Sequence, residues 1–322
     1  MIKYSFVLPA YKARFFREAL DSILAQTYKD FELIIVNDAS PEDLDSIVKG
    51  YNDPRIRYYV NEKNIGGKDL VAQWNHCLEY ATGEYVILAS DDDIYYPLYL
   101  EKMDNLVCKH PNINVFRPRK MYVDGNGNIT SVEGFLKELV TRLEFIYSWV
   151  NNWIGGGIPH YIFRRTALLE IGGFSNYPIA WFSDDSTVLR LSENGLVASD
   201  EVLFAFRMSG INICSSVHTK EVLLKKIKAT EVFHKEILKI IINSTTNDAV
   251  STFIKKQLLS WKINDFLFYS KILPNIFNTK FKVAISIFPL VSNLSFVDRR
   301  CLFKHYLFFL YRCIKKKILF WK

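Results

Sequence analysis

The sequence predicts a doubly wound α/β sheet followed by a basic, mainly helical extension, and three observations support that expectation. Short, nearly uninterrupted apolar runs recur along the N-terminal part, as parallel strands covered on both faces require. Segments with apolar residues three and four apart separate them, the spacing of one helix face. Several of the runs end in small or acidic residues, at the strand ends where open α/β sheets hold ligands.

Taken in order, residues 4–8 are a first strand, closed by Pro9. Residues 14–26 are a helix with Phe15, Leu20, Ile23 and Leu24 facing inward. FELIIV at 31–36 is a second strand ending at Asn37 and Asp38, and Ser40-Pro41-Glu42-Asp43 starts the next helix. Residues 56–60 are a third strand, 69–81 a helix and 85–89 a fourth strand, which runs into Ser90, Asp91, Asp92 and Asp93. A helix follows Pro97. Further on, 115–123 reads as a strand, Asp124-Gly125-Asn126-Gly127-Asn128 as a tight turn, and 138–151 as a helix. Gly155, Gly156 and Gly157 form a loop; 161–163 is a strand, 166–171 a helix stopped by Gly172 and Gly173, 183–193 a helix with acids in its first turn, and 201–208 a strand.

Three adjacent carboxylates at a strand end repel one another and need a cation, hydrogen-bond donors or open water. A hard divalent ion with oxygen ligands, Mg²⁺ or Mn²⁺, suits them, particularly one shared with phosphates. A solvated acidic loop or helix cap is the plainer alternative. No GxGxxG follows the first strand, and no GxxxxGK[ST], HExxH or GxSxG occurs, so dinucleotide, P-loop, zinc-protease and nucleophile-elbow chemistries are poor fits.

Hydrophobic content of 49% and charged content of 23% are those of a globular chain. The formal charge of +7 is unevenly placed: residues 1–216 hold 21 Lys and Arg against 28 Asp and Glu, whereas 217–322 hold 20 against 6. An acidic part at 1–216 is therefore expected to precede a basic helical region at 217–322. Cys77, Cys108, Cys214, Cys301 and Cys313 show no metal spacing and read as reduced thiols of a cytoplasmic protein. The N-terminal apolar run is too short for a signal peptide, and no run reaches the roughly 18–20 apolar residues of a spanning helix.

The order of motifs resembles the family 2 glycosyltransferases, inverting nucleotide-sugar transferases with the GT-A fold. The matching stretches are FVLPAYK (6–12), QTYKDFELIIVNDASPED (26–43), NEKNIGG (61–67), ATGEYVILASDDDIYYP (81–97), GGF (172–174) and SDD (183–185), which together cover roughly residues 1–215. The resemblance implies a catalytic domain at 1–216, with a nucleotide-binding half at about 1–97 and an acceptor half at about 98–216. It implies that Pro9, Ala10 and Tyr11 line the base and ribose, and that Asp38 hydrogen-bonds the base, usually uracil. It places Lys68 near base or phosphates, Asp91 and Asp92 at ribose and metal, Asp93 as a second metal ligand, and Arg207 over the diphosphate. Ser90 stands where many members have a first acid, which leaves open which two acids touch the ion. Asp184 or Asp185 would be the base that takes the acceptor proton, with Asp184 preferred. Gly156, Gly157 and Trp181 would lie on the acceptor side, and Trp153 is a second aromatic that could stack on a sugar. His76 and His160 have no partner at metal spacing and read as structural.

The implied reaction is metal-dependent transfer of a hexosyl or N-acetylhexosaminyl group from a nucleoside diphosphate sugar, most simply a UDP-sugar. The acceptor would be a glycan or lipid-linked glycan in lipopolysaccharide, capsule or another surface polysaccharide. The rivals are a nucleotidyltransferase, which PAYKARFF does not suit for want of glycines, and a non-catalytic nucleotide- or glycan-binding module. Residues 222–242 and 249–269 have helical spacing. The closing CLFKHYLFFLYRCIKKKILFWK (301–322) suits a helix lying in the interface of an anionic membrane, or one resting on the catalytic part. Cytoplasmic, peripheral placement on the inner membrane face is the expectation, with no nucleic-acid partner, since the crevice region is acidic.

Overall fold

In the computed structural model, residues 2–208, 210, 219–277, 281–295 and 297–298 are described, and the chain divides into two compact units, Met1–Cys214 and Ser215–Lys322. The first begins with β1 (Tyr4–Ala10), α1 (Phe16–Leu24), β2 (Phe31–Asn37), α2 (Leu44–Lys49), β3 (Ile56–Val60), α3 (Leu70–Leu78) and β4 (Tyr85–Leu88). These strands pair in parallel in the order β3-β2-β1-β4, so β1 and β4 are neighbours and their carboxyl ends open side by side. Every residue of β2 and β4 is buried, as the unbroken apolar runs required.

The chain continues through β5 (Ile94–Tyr95), α4 (Tyr99–Lys109), β6 (Val115–Asp124), β7 (Ile129–Val132), β8 (Leu139–Val140), α5 (Arg142–Val150), β9 (Ile162–Arg164), α6 (Arg165–Glu170), α7 (Ser183–Leu191) and β10 (Leu196–Met208). β9 enters antiparallel between β4 and β6, and β10 pairs with β6 in parallel, so one sheet runs β3-β2-β1-β4-β9-β6-β10-β5. β7 flanks β6 and β8 flanks β10, both antiparallel.

The helix expected over 138–151 starts later. Leu139 and Val140 pair with β10, and Thr141 caps the helix by accepting from the Glu144 amide while Glu144 reaches back to the Thr141 amide. Apolar spacing alone does not separate a short edge strand from a first helical turn. The strand expected at 201–208 likewise begins earlier, at Leu196, where it joins β8.

An aromatic cluster ties the two halves of this unit together. Tyr95 lies 5.0 Å, edge to face, from each of Phe6, Tyr99 and Phe204. Both buried hydroxyls find carbonyl acceptors: Tyr95 donates to Pro159 at 2.5 Å and Tyr99 to His160 at 3.1 Å. The segment just after the three acids therefore holds the segment just after the three glycines.

The second unit starts with α8 (Lys220–Asn243), capped by Thr219, and α9 (Ala249–Gln257), capped by Asp248. A helical stretch with two π-type segments, Leu258–Lys262 and Phe266–Ile272, follows, then Leu273–Phe277 and Phe281–Val291. Leu223, Ile227, Phe233, Ile237 and Ile241 form the buried stripe of α8. Among the described residues no helix is long and apolar enough to cross a membrane. The aromatic, basic segment at 301–322 lies outside the described residues, as do Cys214, Cys301 and Cys313.

Candidate active site

The carboxyl ends of β1 and β4 are joined by one carboxylate. Asp91 Oδ2 accepts the Lys12 amide at 2.8 Å and the Tyr11 amide at 3.1 Å, so the turn after β4 fixes the backbone after Pro9 and Ala10. Tyr11 is itself exposed, its carbonyl accepting from Ser40 Oγ at 2.6 Å. Pro9 is partly open at the same end and Ala10 is buried. This places the expected base and ribose wall on backbone rather than on long side chains.

Asp38, at the end of β2, is buried and turned into the loop that follows β3. Its Oδ1 accepts from the Ile65 amide at 2.8 Å and Asn61 Nδ2 at 2.8 Å, and its Oδ2 from the Gly66 amide at 2.7 Å. Asn64 closes the loop, donating to the Asp38 carbonyl at 3.0 Å and accepting the Gly67 amide at 2.5 Å. NEKNIGG is thus a loop wrapped on one carboxylate, with Lys68 exposed just beyond it. Three donors already converge on Asp38, so its evident work here is to shape that loop.

The structure places two residues expected at the site away from solvent. Asp93, expected as a metal ligand, is turned inward and 1% exposed. Its Oδ2 accepts from Ser90 Oγ at 2.5 Å and its Oδ1 from the Arg207 amide at 2.8 Å. Burial, and next the charge of Asp92, push its carboxyl up to about 7. Arg207, expected over the diphosphate, lies beneath the turn and is 2% exposed. Its Nε donates to the Asp92 carbonyl at 2.8 Å, Nη2 pairs with Glu18 of α1 at 2.7 Å, and the guanidinium covers the Phe15 ring at 4.4 Å. The physical reason is pairing: β10 is bonded to both β6 and β5, which carries residue 207 under the turn rather than over the crevice.

Among the described residues no group of three or more His, Cys, Asp and Glu side chains gathers as a metal cage. A magnesium-type site uses one or two carboxylates with substrate phosphates, so the donor set still fits. Burial raises Asp91 as well, and the charge of Asp92 adds to it despite the two amides. The turn therefore carries crowded negative charge that a cation would relieve. Asp92, 8% exposed, with Asp91 beside it, would be the group to hold one.

On the other side of the crevice, Gly155, Gly156 and Gly157 form a loop held from three directions. The Gly155 amide donates to Glu133 Oε1 at 2.7 Å, the Gly156 carbonyl accepts from Lys120 Nζ, and the Gly157 amide donates to Asp184 Oδ2 at 2.8 Å. A Cβ on Gly155 would stand 2.0 Å from the Tyr122 hydroxyl, and Gly157 has φ +107°, so neither tolerates a side chain. A Cβ on Gly156 would lie 3.2 Å from Asp185 Oδ1, which puts both acids of α7 against this loop. Asp184 and Asp185 sit in the first turn of that helix, where the helix dipole favours negative charge.

The lead-in to α7 is strained. Ile179, Ala180 and Phe182 have φ of +54°, +58° and +73°, and a β-branched residue there is a genuine outlier. Such conformations cost on the order of 1–3 kcal/mol each and persist where surrounding contacts enforce them. Ser183 Oγ accepts the Tyr177 amide at 3.1 Å, and Thr187 Oγ1 accepts the Ser175 amide at 2.9 Å, which clamp the segment onto α7. Trp181 lies in it, half-buried, with its ring 5.7 Å from Phe182. Trp153, on the approach to the glycines, is 55% exposed.

Sequence reasoning missed the buried ions beneath the glycine loop. Arg117 pairs with Glu133 Oε2, and Lys120 Nζ lies 3.4 Å from Glu133 Oε1. Arg117, Lys120 and Glu133 are all buried. Burial pushes Lys120 down from the usual lysine range, while the pairing holds Glu133 below the usual carboxylate range against its own burial. In the sequence these are ordinary charges on a strand and its neighbour. Only their inward direction on β6 gives them away, at 117 and 120 instead of an alternating pattern. His76 and His160 stay outside the site, His76 beside Glu79 and His160 fully buried.

The Glycosyl transferase family 2 profile matches residues 5–172, slightly more than half of the chain. An uncharacterized glycosyltransferase of Rickettsia typhi is 39% identical over 112 residues, 34% of this chain and 34% of that protein. The putative glycosyltransferase EpsE of Bacillus subtilis is 38% identical over 117 residues, 35% of this chain and 41% of that one. The matched part thus spans about a third to two fifths of the length of these relatives. The S. aureus TarS 1-349 structure in complex with UDP-GlcNAc superposes with a TM-score of 0.66 at 20% identity, covering 91% of this chain and 81% of that one, which is a likeness of fold. The same TarS fragment in complex with UDP gives 0.62. With the α/β sheet, the acidic turn after β4 and the profile match in agreement, the chain belongs to glycosyl transferase family 2.

Proposed function

We propose that the protein transfers a sugar, with inversion, from a nucleoside diphosphate sugar to a glycan or lipid-linked glycan in the making of a surface polysaccharide. The observation that carries this reading is a pair of acidic groups on segments that the Tyr95–Pro159 and Tyr99–His160 hydrogen bonds hold together. Asp91 and Asp92 stand at the strand ends beside exposed backbone, and Asp184 and Asp185 stand at a helix start against a glycine loop. UDP is the favoured donor nucleotide: the resemblance of the β2 end to family members supports it, and so does the UDP-GlcNAc bound by the similarly folded TarS.

In this reading Tyr11 and Lys12 present the nucleotide wall, kept in place by Asp91. When bound, a divalent ion supplies electrostatic stabilisation of the departing diphosphate, and Asp92 with Asp91 would hold it. Asp184 or Asp185 takes the proton of the acceptor hydroxyl. Inversion requires that this acid lie on the opposite side of the sugar from the leaving group. The acceptor would lie beside the glycine loop, with Trp181 and the exposed Trp153 as apolar walls. The charge of residues 217–322 supports attraction of the second unit to an anionic membrane face.

The test is thermal stabilisation by UDP, GDP, dTDP and CMP, each with and without Mn²⁺, on the wild type and Asp92→Ala. A ligand that binds only the folded state raises the melting temperature according to its affinity. A shift with UDP that needs both Mn²⁺ and Asp92 supports the reading. A shift with no nucleotide at all overturns it.

A further inference from the structure

The Gly156 carbonyl and the Gly157 amide belong to one peptide group, and both ends of it are bonded. Lys120 Nζ donates to the carbonyl, and the amide donates to Asp184 Oδ2 at 2.8 Å. The lysine is fully buried and also donates to the Gly155 carbonyl at 3.4 Å. We infer that Lys120 is a positioning residue that acts on Asp184 through the Gly156–Gly157 peptide, holding the acid in register with the donor-side turn.

Three observations carry this. First, hydrogen bonds in series polarise one another, so an ammonium on a carbonyl makes the amide of the same peptide a stronger donor. Second, the ions under the loop do not cancel. Arg117 and Lys120 face the single carboxylate of Glu133, which leaves one positive charge to be balanced by acids outside the group. Third, Glu133 Oε1, 3.4 Å from Lys120 Nζ, also accepts the Gly155 amide at 2.7 Å, so the lysine and its counter-ion grip the same loop.

The other groups around Lys120 come from every neighbouring element. Tyr122 on β6 and Phe206 on β10 present their rings at 5.3 and 5.6 Å, and His160 feels its charge from the segment before β9. Lys120 has no exposed surface of its own, so its neighbours must solvate the ammonium. A lysine held at such cost, bonded to a loop carbonyl, points to a task of placement. The inference rests on the proposed transfer for its catalytic consequence but not for its structural one.

The experiment compares wild type, Lys120→Met and the surface control Lys102→Met. Lys120→Met keeps the length of the side chain and leaves Glu133 paired with Arg117, so no acid is orphaned. Hydrogen exchange, read by mass spectrometry on peptides covering residues 154–160, reports the loop without any ligand. UDP affinity and the rate of UDP-GlcNAc hydrolysis with Mn²⁺ report the site. The inference expects at least tenfold faster exchange of the loop amides in Lys120→Met, UDP affinity within threefold, and hydrolysis reduced at least thirtyfold, with Lys102→Met unchanged. Unchanged loop exchange overturns it whatever the activity. Faster exchange with an unchanged rate overturns it too, since Lys120 would then be structural only. Should the wild type neither bind UDP nor hydrolyse the donor, the proposed transfer fails and loop exchange alone decides the role of Lys120. If Lys120→Met does not fold, Lys120→Gln is read against the same criteria.

Discussion

The backbone amide of Arg207 donates to Asp93 Oδ1 at 2.8 Å, while the same residue's guanidinium supports the Asp92 carbonyl from below. One residue of β10 thus fixes two successive positions of the acidic turn, and α1 completes the arrangement through Glu18. Arg207→Met should keep the amide bond but lose the guanidinium contacts, taking this donor from the Asp92 carbonyl and the ion pair from Glu18. A loss of about 1–3 kcal/mol in denaturant unfolding is expected, together with a weaker Mn²⁺-dependent response to UDP. Unchanged stability would show that the turn does not depend on this cation.

Gly155 is the tightest point of the glycine loop. Gly155→Ala puts a methyl group 2.0 Å from the Tyr122 hydroxyl, and something must shift. Overpacking of this kind costs typically about 1–3 kcal/mol, and the displaced loop should lower activity further. Tyr122→Phe removes the clashing oxygen and leaves the ring carbon at 3.3 Å, so the double variant should recover part of the melting temperature. Failure of Tyr122→Phe to recover any of it would place the damage elsewhere.

Asp38 is the centre of the 61–67 loop rather than a solvent-facing group. Asp38→Ala removes the acceptor of the Ile65 and Gly66 amides and of Asn61 at once. Limited proteolysis should then cut between residues 61 and 68, where the wild type resists, and UDP affinity should fall with it. Asp69 caps α3 independently by accepting from the Ala72 amide, so the helix beyond should survive.

His160 is buried among aromatic rings, and burial first, with the Lys120 and Arg117 charges behind it, pushes its imidazole well below its ordinary value of 6.5. The folded protein therefore keeps it neutral while the unfolded chain binds a proton below about pH 6.5. Stability should fall as the pH drops below that value, with this residue contributing a slope of up to about 1.4 kcal/mol per pH unit. His160→Leu should flatten urea-unfolding free energies between pH 6.5 and 5 by a corresponding amount. An identical slope in the variant would mean that other groups set it.

Much of the N-terminal half of the first unit was legible because its signals are local. FELIIV reads as a covered strand from six consecutive residues, and the acids after it and after YVILA fall at strand ends by counting alone. Parallel order then brings those ends together, as Asp91 bonded to the Tyr11 and Lys12 amides attests. The direction of each acid was not legible. Asp91, Asp92 and Asp93 are chemically alike in sequence, yet Asp93 faces Ser90 and the β10 backbone. The helix at 138–151 began late for a similar reason: pairing of Val140 with Leu196, distant in sequence, outweighed a local apolar pattern.

What the sequence determined by itself was the alternation of strand and helix, the acidic groups and their order, and the family. Those follow from short-range periodicity and from residue types that water, turns and helix starts select. What only the tertiary structure decided was which charges are buried and whom they face. Arg117, Lys120 and Glu133 read as ordinary charges and Arg207 as a diphosphate contact, and all four prove buried once β6 and β10 pair. A charge removed from water needs partners, and the partners of these four lie on other strands, helices and loops, brought within reach only when the sheet closes.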